Sequence, residues 1–141
     1  MDLKKTSRRI DEIIVHCSAT KDGKDFTVVD INRWHLQRGF ACIGYHYVVY
    51  LDGSIHEGRN VEMPGAHCKN HNSHSIGVCY IGGLDTMGKS KDTRTVKQVA
   101  ALRALLSELK KLYPNAKIHG HNEFSAKDCP CFNAGEEYAD L

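Results

Sequence analysis

Apolar residues come in two rhythms along this chain. Ile10 to Cys17 contains Ile13-Ile14-Val15, apolar on both faces, which marks an inner strand. Tyr45 to Leu51 reads as a second strand and Ser75 to Ile81 as a third, the latter ended by Gly82-Gly83. Asp52-Gly53 is a strong hairpin signal leading into Ser54 to Glu57. Lys117 to His121 reads as a short strand or strand end. Elsewhere the period changes. Val99, Leu102, Leu105, Leu106, Leu109 and Leu112 recur at three and four residues, behind the capping box Thr95-Val96-Lys97-Gln98 and before Pro114. A second capping box, Thr27-Val28-Val29-Asp30, opens a helix to about Arg38, where Gly39 stops it. A last short helix is expected from Gly135 to Leu141. Strands and helices alternate, which predicts an α/β fold with helices packed on a central sheet.

Composition narrows the class. A length of 141 residues predicts one domain, 1–141, large enough to bury a core without staples. With 41% hydrophobic and 26% charged residues the chain is globular in character, not disordered. The net charge of +2 gives no reason to expect nucleic-acid binding. No apolar run approaches the length of a membrane span, so no membrane insertion is expected. Residues 1–9 read as a loose, flexible basic arm, and the run Ile13 to Val15 is far too short for a signal-peptide core. Synthesis in the cytoplasm without a signal peptide is the expectation. Residues 85–95 read as an exposed polar loop.

Six cysteines and nine histidines are the unusual counts. The cysteines, at 17, 42, 68, 79, 129 and 131, show no paired CxxC spacing, so a structural zinc finger is not expected. Cys17, Cys42 and Cys79 read as small buried hydrophobes. The chemistry-bearing stretch runs from His119 to Cys131 and includes His121, Lys127, Cys129 and Pro130. Imidazoles and a thiol on one loop, with a distant histidine as third ligand, would leave a fourth metal position open, the layout of a catalytic zinc site. His16, at the end of an apolar strand, is the distant candidate. From the residues alone His16 reads more readily as a strand-end histidine bonded to a backbone carbonyl than as a zinc ligand, since lone histidines are common. His119 competes with His121, and Cys131 with Cys129.

Ile14-Val15-His16-Cys17-Ser18-Ala19-Thr20 resembles the opening ligand motif of the zinc N-acetylmuramoyl-L-alanine amidases, in particular the lysozyme-type amidases of T-odd bacteriophages. The resemblance continues in order through Arg33-Trp34-His35, Gly44-Tyr45-His46-Tyr47, Asp52-Gly53, Gly58-Arg59, Ser75 to Cys79, Gly82-Gly83 and Lys127-Asp128-Cys129-Pro130. It implies a central mixed β-sheet flanked by helices, the fold shared with animal peptidoglycan recognition proteins. It implies zinc-dependent hydrolysis of the amide between N-acetylmuramic acid and L-alanine, with one zinc ion per chain. His16, His121 and Cys129 would be the metal ligands, Cys129 favoured by its place directly before a proline. Tyr45 and Lys127 would be the catalytic side chains, and His67 and Asn72 substrate contacts lining the groove. His35 and His46 read as structural, and His56, His71 and His74 as surface histidines in turns. Peptidoglycan is the implied partner, reached after release with the help of a holin-like protein, and a monomer is expected.

Other functions fit less well. A cysteine hydrolase pairing Cys129 with His121 lacks a nucleophile at a helix start, because Pro130 follows directly. A non-catalytic peptidoglycan-binding module is the main alternative, but recognition proteins without activity commonly lack the cysteine ligand, which is present here. Phage amidases of this type also bind and inhibit a phage RNA polymerase. Residues 1–9 offer nothing onto which that activity carries.

Overall fold

A computed structural model describes residues 1–141. Five strands form one sheet: β1 (Glu12–Cys17), β3 (Tyr47–Val49), β4 (Ile55–Glu57), β5 (Ser75–Tyr80) and β7 (Lys117–Gly120), in the order β4-β3-β5-β1-β7. β3, β5, β1 and β7 are mutually parallel, and β4 adds an antiparallel edge. The Asp52-Gly53 signal is borne out: Gly53 sits at φ +83° in the β3–β4 turn, a conformation that side chains with a Cβ rarely adopt. A second, two-stranded sheet pairs β2 (Thr20–Lys21) with β6 (Gly83–Leu84). The sequence pattern did not predict it, since two residues per strand carry no periodicity.

Side chains alternate across β1 and β5, and the two faces meet different helices. Ile13, Val15 and Cys17 join Ile76, Val78 and Tyr80 on one face, packed against Leu102, Leu105, Leu106 and Leu109 of α2 (Val96–Leu112). These four leucines are fully buried, each worth about 1.5–3 kcal/mol of transfer free energy. The other face carries Val48, which packs with Ile31 of α1 (Val28–Gln37), Ile43 and Ile81. Both predicted capping boxes form. Gln98, inside the second box, is fully buried and donates through Nε2 to the carbonyls of Ile81 (2.9 Å) and Val49 (3.3 Å), tying α2 to the sheet.

Several expectations need correction. Val99 is not part of the buried stripe of α2; it is 41% exposed, because the buried arc is centred on Leu102, Leu105 and Leu109. The last helix is a single turn, α3 (Ala134–Glu137), not a helix to residue 141. Cys42 is half-buried, whereas Cys17 and Cys79 are buried as expected. The basic arm is docked from Thr6 onward. The Thr6 amide donates to the Tyr113 hydroxyl, Ser7 bonds Glu62, and the Arg8 guanidinium reaches the carbonyls of Val61, Ser73 and Ser75. No helix is long and apolar enough to cross a membrane.

Candidate metal centre and groove

At the C-terminal end of β1 the sheet opens into a groove of about 620 Å³, lined by His16, Trp34, Tyr45, His67, His121, Lys127 and Cys129 among others. Parallel strands deliver these groups. His16 is the fifth residue of β1, and its side chain lies on the face opposite α2, in register with Cys79. β7 runs beside β1 and ends at Gly120, so the next residue, His121, turns into a short 3₁₀ turn, His121–Glu123, beside His16. The two imidazole centroids are 4.5 Å apart. Cys129 comes from the following loop, held down by the Tyr80 hydroxyl, which donates to the Pro130 carbonyl at 2.7 Å.

The donor atoms of His16, His121 and Cys129 all lie within 4.8 Å of one another. Cys129 Sγ is 3.7 Å from His16 Nδ1. Tetrahedral zinc with ordinary Zn–N and Zn–S bonds holds its ligand atoms roughly 3.3–3.6 Å apart, so the three need only a small adjustment to share an ion. The donor chemistry fits as well. Burial, then the charges on His67, His121 and Lys127, holds the His16 imidazole well below the usual histidine range. Burial and Lys127 lower His121 in the same way. Neutral imidazoles are what a metal requires. The Cys17 amide donates to Cys129 Sγ at 3.2 Å, which fixes the sulfur at the mouth of β1.

A hydrogen-bonded chain sets the orientation of His16. Its Nε2 is 2.8 Å from His67 Nδ1, and His67 Nε2 is 3.1 Å from Ser75 Oγ. With His16 Nδ1 facing Cys129, the consistent tautomers have His16 Nε2–H donating to His67, and His67 Nε2–H to Ser75. Gly77 makes room for this ring: a Cβ there would meet His67 Cδ2 at 2.6 Å. Asn72 Oδ1 accepts from the amides of His67 (2.9 Å) and Cys68 (3.0 Å), fixing the loop that forms the groove wall.

Tyr45 stands beside His16, with ring centroids 5.1 Å apart. No buried side-chain oxygen in the protein lacks a partner, so the Tyr45 hydroxyl, which bonds no protein group, faces the open groove. Burial of the ring holds its pKa well above the usual phenol value. Lys127 is exposed on the groove rim. The competing ligands point elsewhere. Cys131 Sγ lies 3.3 Å from the Gly83 carbonyl and 4.0 Å from Cys17 Sγ, while His119 Nδ1 bonds Glu123 at 2.9 Å. His35 accepts from the Gly44 amide at 2.9 Å, and His46 accepts from the Gly77 amide at 3.0 Å with Met63 O at 2.9 Å, so both are structural. His56 is on β4, not in a turn, and stacks on Tyr50. His71 and His74 are half-buried around Glu12 instead of lying free on the surface.

Comparison with known proteins places these features in context. The family model described as N-acetylmuramoyl-L-alanine amidase matches residues 6–132. The endolysin of Escherichia phage T7 is 41% identical over 123 residues, covering 87% of this chain and 82% of that protein. The endolysin of Enterobacteria phage K11 is 40% identical over 122 residues, 86% of this chain and 81% of its own. Among solved structures, the N-acetylmuramoyl-L-alanine amidase LysC from Clostridium intestinale shares the fold, with a TM-score of 0.77 at 24% identity, covering 98% of this chain and 91% of that one.

Proposed function

The chain belongs to the N-acetylmuramoyl-L-alanine amidase family and is a cell-wall-lytic enzyme of the endolysin kind, and on that premise we propose that His16, His121 and Cys129 hold one zinc ion per chain, with Tyr45 and Lys127 as its catalytic side chains. The convergence of one thiol and two imidazoles on the groove floor carries this reading. Residues 1–141 act as a single catalytic domain.

Zinc bound there supplies Lewis acidity toward the scissile carbonyl and toward water, whose pKa such a metal can lower to about 7. The protein does the rest. His67 keeps the His16 ring in one tautomer and one orientation. The groove is open enough to lay a muramyl peptide across the ligands. Lys127 forms no ion pair, so its ammonium is available to a carbonyl oxygen as negative charge develops on it. The Tyr45 hydroxyl, un-ionised at neutral pH, donates a hydrogen bond to the reacting groups from its place beside His16. His67 serves substrate binding through the wall it builds, since both its ring nitrogens are engaged within the protein, whereas Asn72 spends only Oδ1 on that wall and keeps its Nδ2 for the substrate.

Removal of metal with a strong chelator, followed by readdition of zinc, tests this reading on purified cell walls. Release of new amino termini should stop and then return with one equivalent at the groove. Activity that survives complete metal removal would favour the Cys129–His121 hydrolase instead. Peptidoglycan binding without any release of amino termini would favour the recognition module.

A further inference from the structure

A second group of metal-capable side chains lies on the same sheet face as His16, toward the opposite end of the strands. Glu12 opens β1 and shares a face with Ile14 and His16. Four residues of strand set it roughly 13 Å from His16. Glu12 Oε1 is 2.7 Å from His71 Nδ1 and 3.1 Å from His74 Nε2. Both histidines belong to the segment that precedes β5, where a 3₁₀ turn spans Asn72–His74. The three donor atoms lie within 4.8 Å of one another. From the other side β7 contributes His119, the register partner of Ile14, with Nε2 3.9 Å from Glu12 Oε2.

The outer nitrogens of two of these rings are already engaged. His119 Nδ1 bonds Glu123 at 2.9 Å, and His74 Nδ1 lies 3.3 Å from Ser73 Oγ. A ligating histidine commonly gives its far N–H to a carboxylate or hydroxyl, which leaves the near nitrogen as a lone pair. Because the Glu123 carboxylate only accepts, a neutral His119 turns the lone pair of Nε2 toward the Glu12 carboxylate, while the Ser73 hydroxyl can donate to or accept from His74 Nδ1 and so allows His74 either tautomer. Lone pairs and carboxylate oxygens repel unless a proton or a cation lies between them. Phe124 stacks on His71 at 4.1 Å and meets His119 edge-on at 5.1 Å, covering the cluster on one side.

We propose that Glu12, His71 and His74, with His119 beside them, form a second site for a divalent transition metal of the zinc, cobalt or nickel class. Tetrahedral N and O ligands of zinc stand roughly 3.3 Å apart, inside the spread of donor distances here. Imidazoles outnumber carboxylates, which selects against magnesium and calcium. None of the four lines the groove, so the ion would brace and not react. It would tie the start of β1 to the turn carrying Asn72 and to β7, which delivers His121.

Metal-free protein is loaded with micromolar cobalt, separated from free ion, and its metal content per chain measured together with its absorption spectrum. Wild type should retain two ions. Glu12→Gln and the double variant His71→Ala/His74→Ala should each retain one, with the thiolate-to-cobalt charge-transfer band intact. Cys129→Ala should also retain one, with that band gone. Glu12→Gln is nearly isosteric, and near-UV circular dichroism reports its fold. Glu12→Gln should keep the wild-type rate of amide hydrolysis. One ion in wild type with the charge-transfer band present, an unchanged ion count in the Glu12 or His71/His74 variants, or none in Cys129→Ala would each overturn the second site, whereas one ion in wild type without the band would overturn the groove site instead. The charge-transfer band reads the groove separately, so failure of one site is distinguishable from failure of the other.

Discussion

Replacing His67 by Phe isolates the contribution of the ring behind the ligand. The substitution keeps the flat shape that rests over Gly77 and removes both ring nitrogens. His16 Nε2–H then loses its 2.8 Å acceptor in a place where the residue is 1% exposed. An orphaned buried donor costs about 1–3 kcal/mol. Loss of such a supporting contact commonly weakens metal binding by about 10–100-fold, which is the same free-energy scale. The expected result is therefore a zinc dissociation constant raised by about 10–100-fold. His67→Asn should lose less, because its Oδ1 can replace Nδ1 as the acceptor. Competition with a chromogenic chelator, in the Glu12→Gln background so that one site is titrated, gives the constants. At saturating zinc, His67→Phe should regain most of its kcat. A folded His67→Phe protein with wild-type zinc affinity and a raised KM would refute the positioning role and put the ring on the substrate.

Other expectations follow from the same structure. Burial lowers His35 and His46 to about 4, from 6.5 in an unfolded chain, so both are neutral in the folded protein at pH 7. Between those values the unfolded state binds more protons, so their stability contribution is complete above pH 6.5 and is lost as pH falls toward 4, by up to about 1.4 kcal/mol per pH unit for each ring. Urea unfolding across that range should show a falling midpoint, less steep in His46→Gln. Tyr45→Phe and Lys127→Met should each lower kcat by roughly 10²–10³ while the groove metal is retained, as measured by metal content and steady-state kinetics. Leu106→Ala, at a fully buried position of α2, should cost about 2–5 kcal/mol in chemical denaturation and leave the groove metal bound.

Much of this architecture was legible in the residues. The capping boxes at Thr27 and Thr95 and the two-faced apolar run in β1 each rest on local physics, and each element forms where its pattern lies. The proposed ligands His16, His121 and Cys129 could be named only through the resemblance, because the residues left His119 and Cys131 open. Their separation is a matter of tertiary geometry: β7 ends at Gly120, so consecutive histidines face different neighbours. Docking of the arm depends on Arg8 finding carbonyls more than fifty residues away, which no local pattern encodes. The Glu12 cluster was invisible for the same reason. His71 and His74 look like turn residues until parallel pairing of β1 with β5 and β7 brings them and His119 around one carboxylate.

Cobalt-substituted protein, followed by absorption and by amide hydrolysis in parallel, tests the groove assignment most directly. Wild type and Cys131→Ser should both show the thiolate-to-cobalt charge-transfer band and release amino termini from cell walls, and Cys129→Ser should lose both. A band that persists in Cys129→Ser and vanishes in Cys131→Ser would contradict the assignment of Cys129 as the ligand.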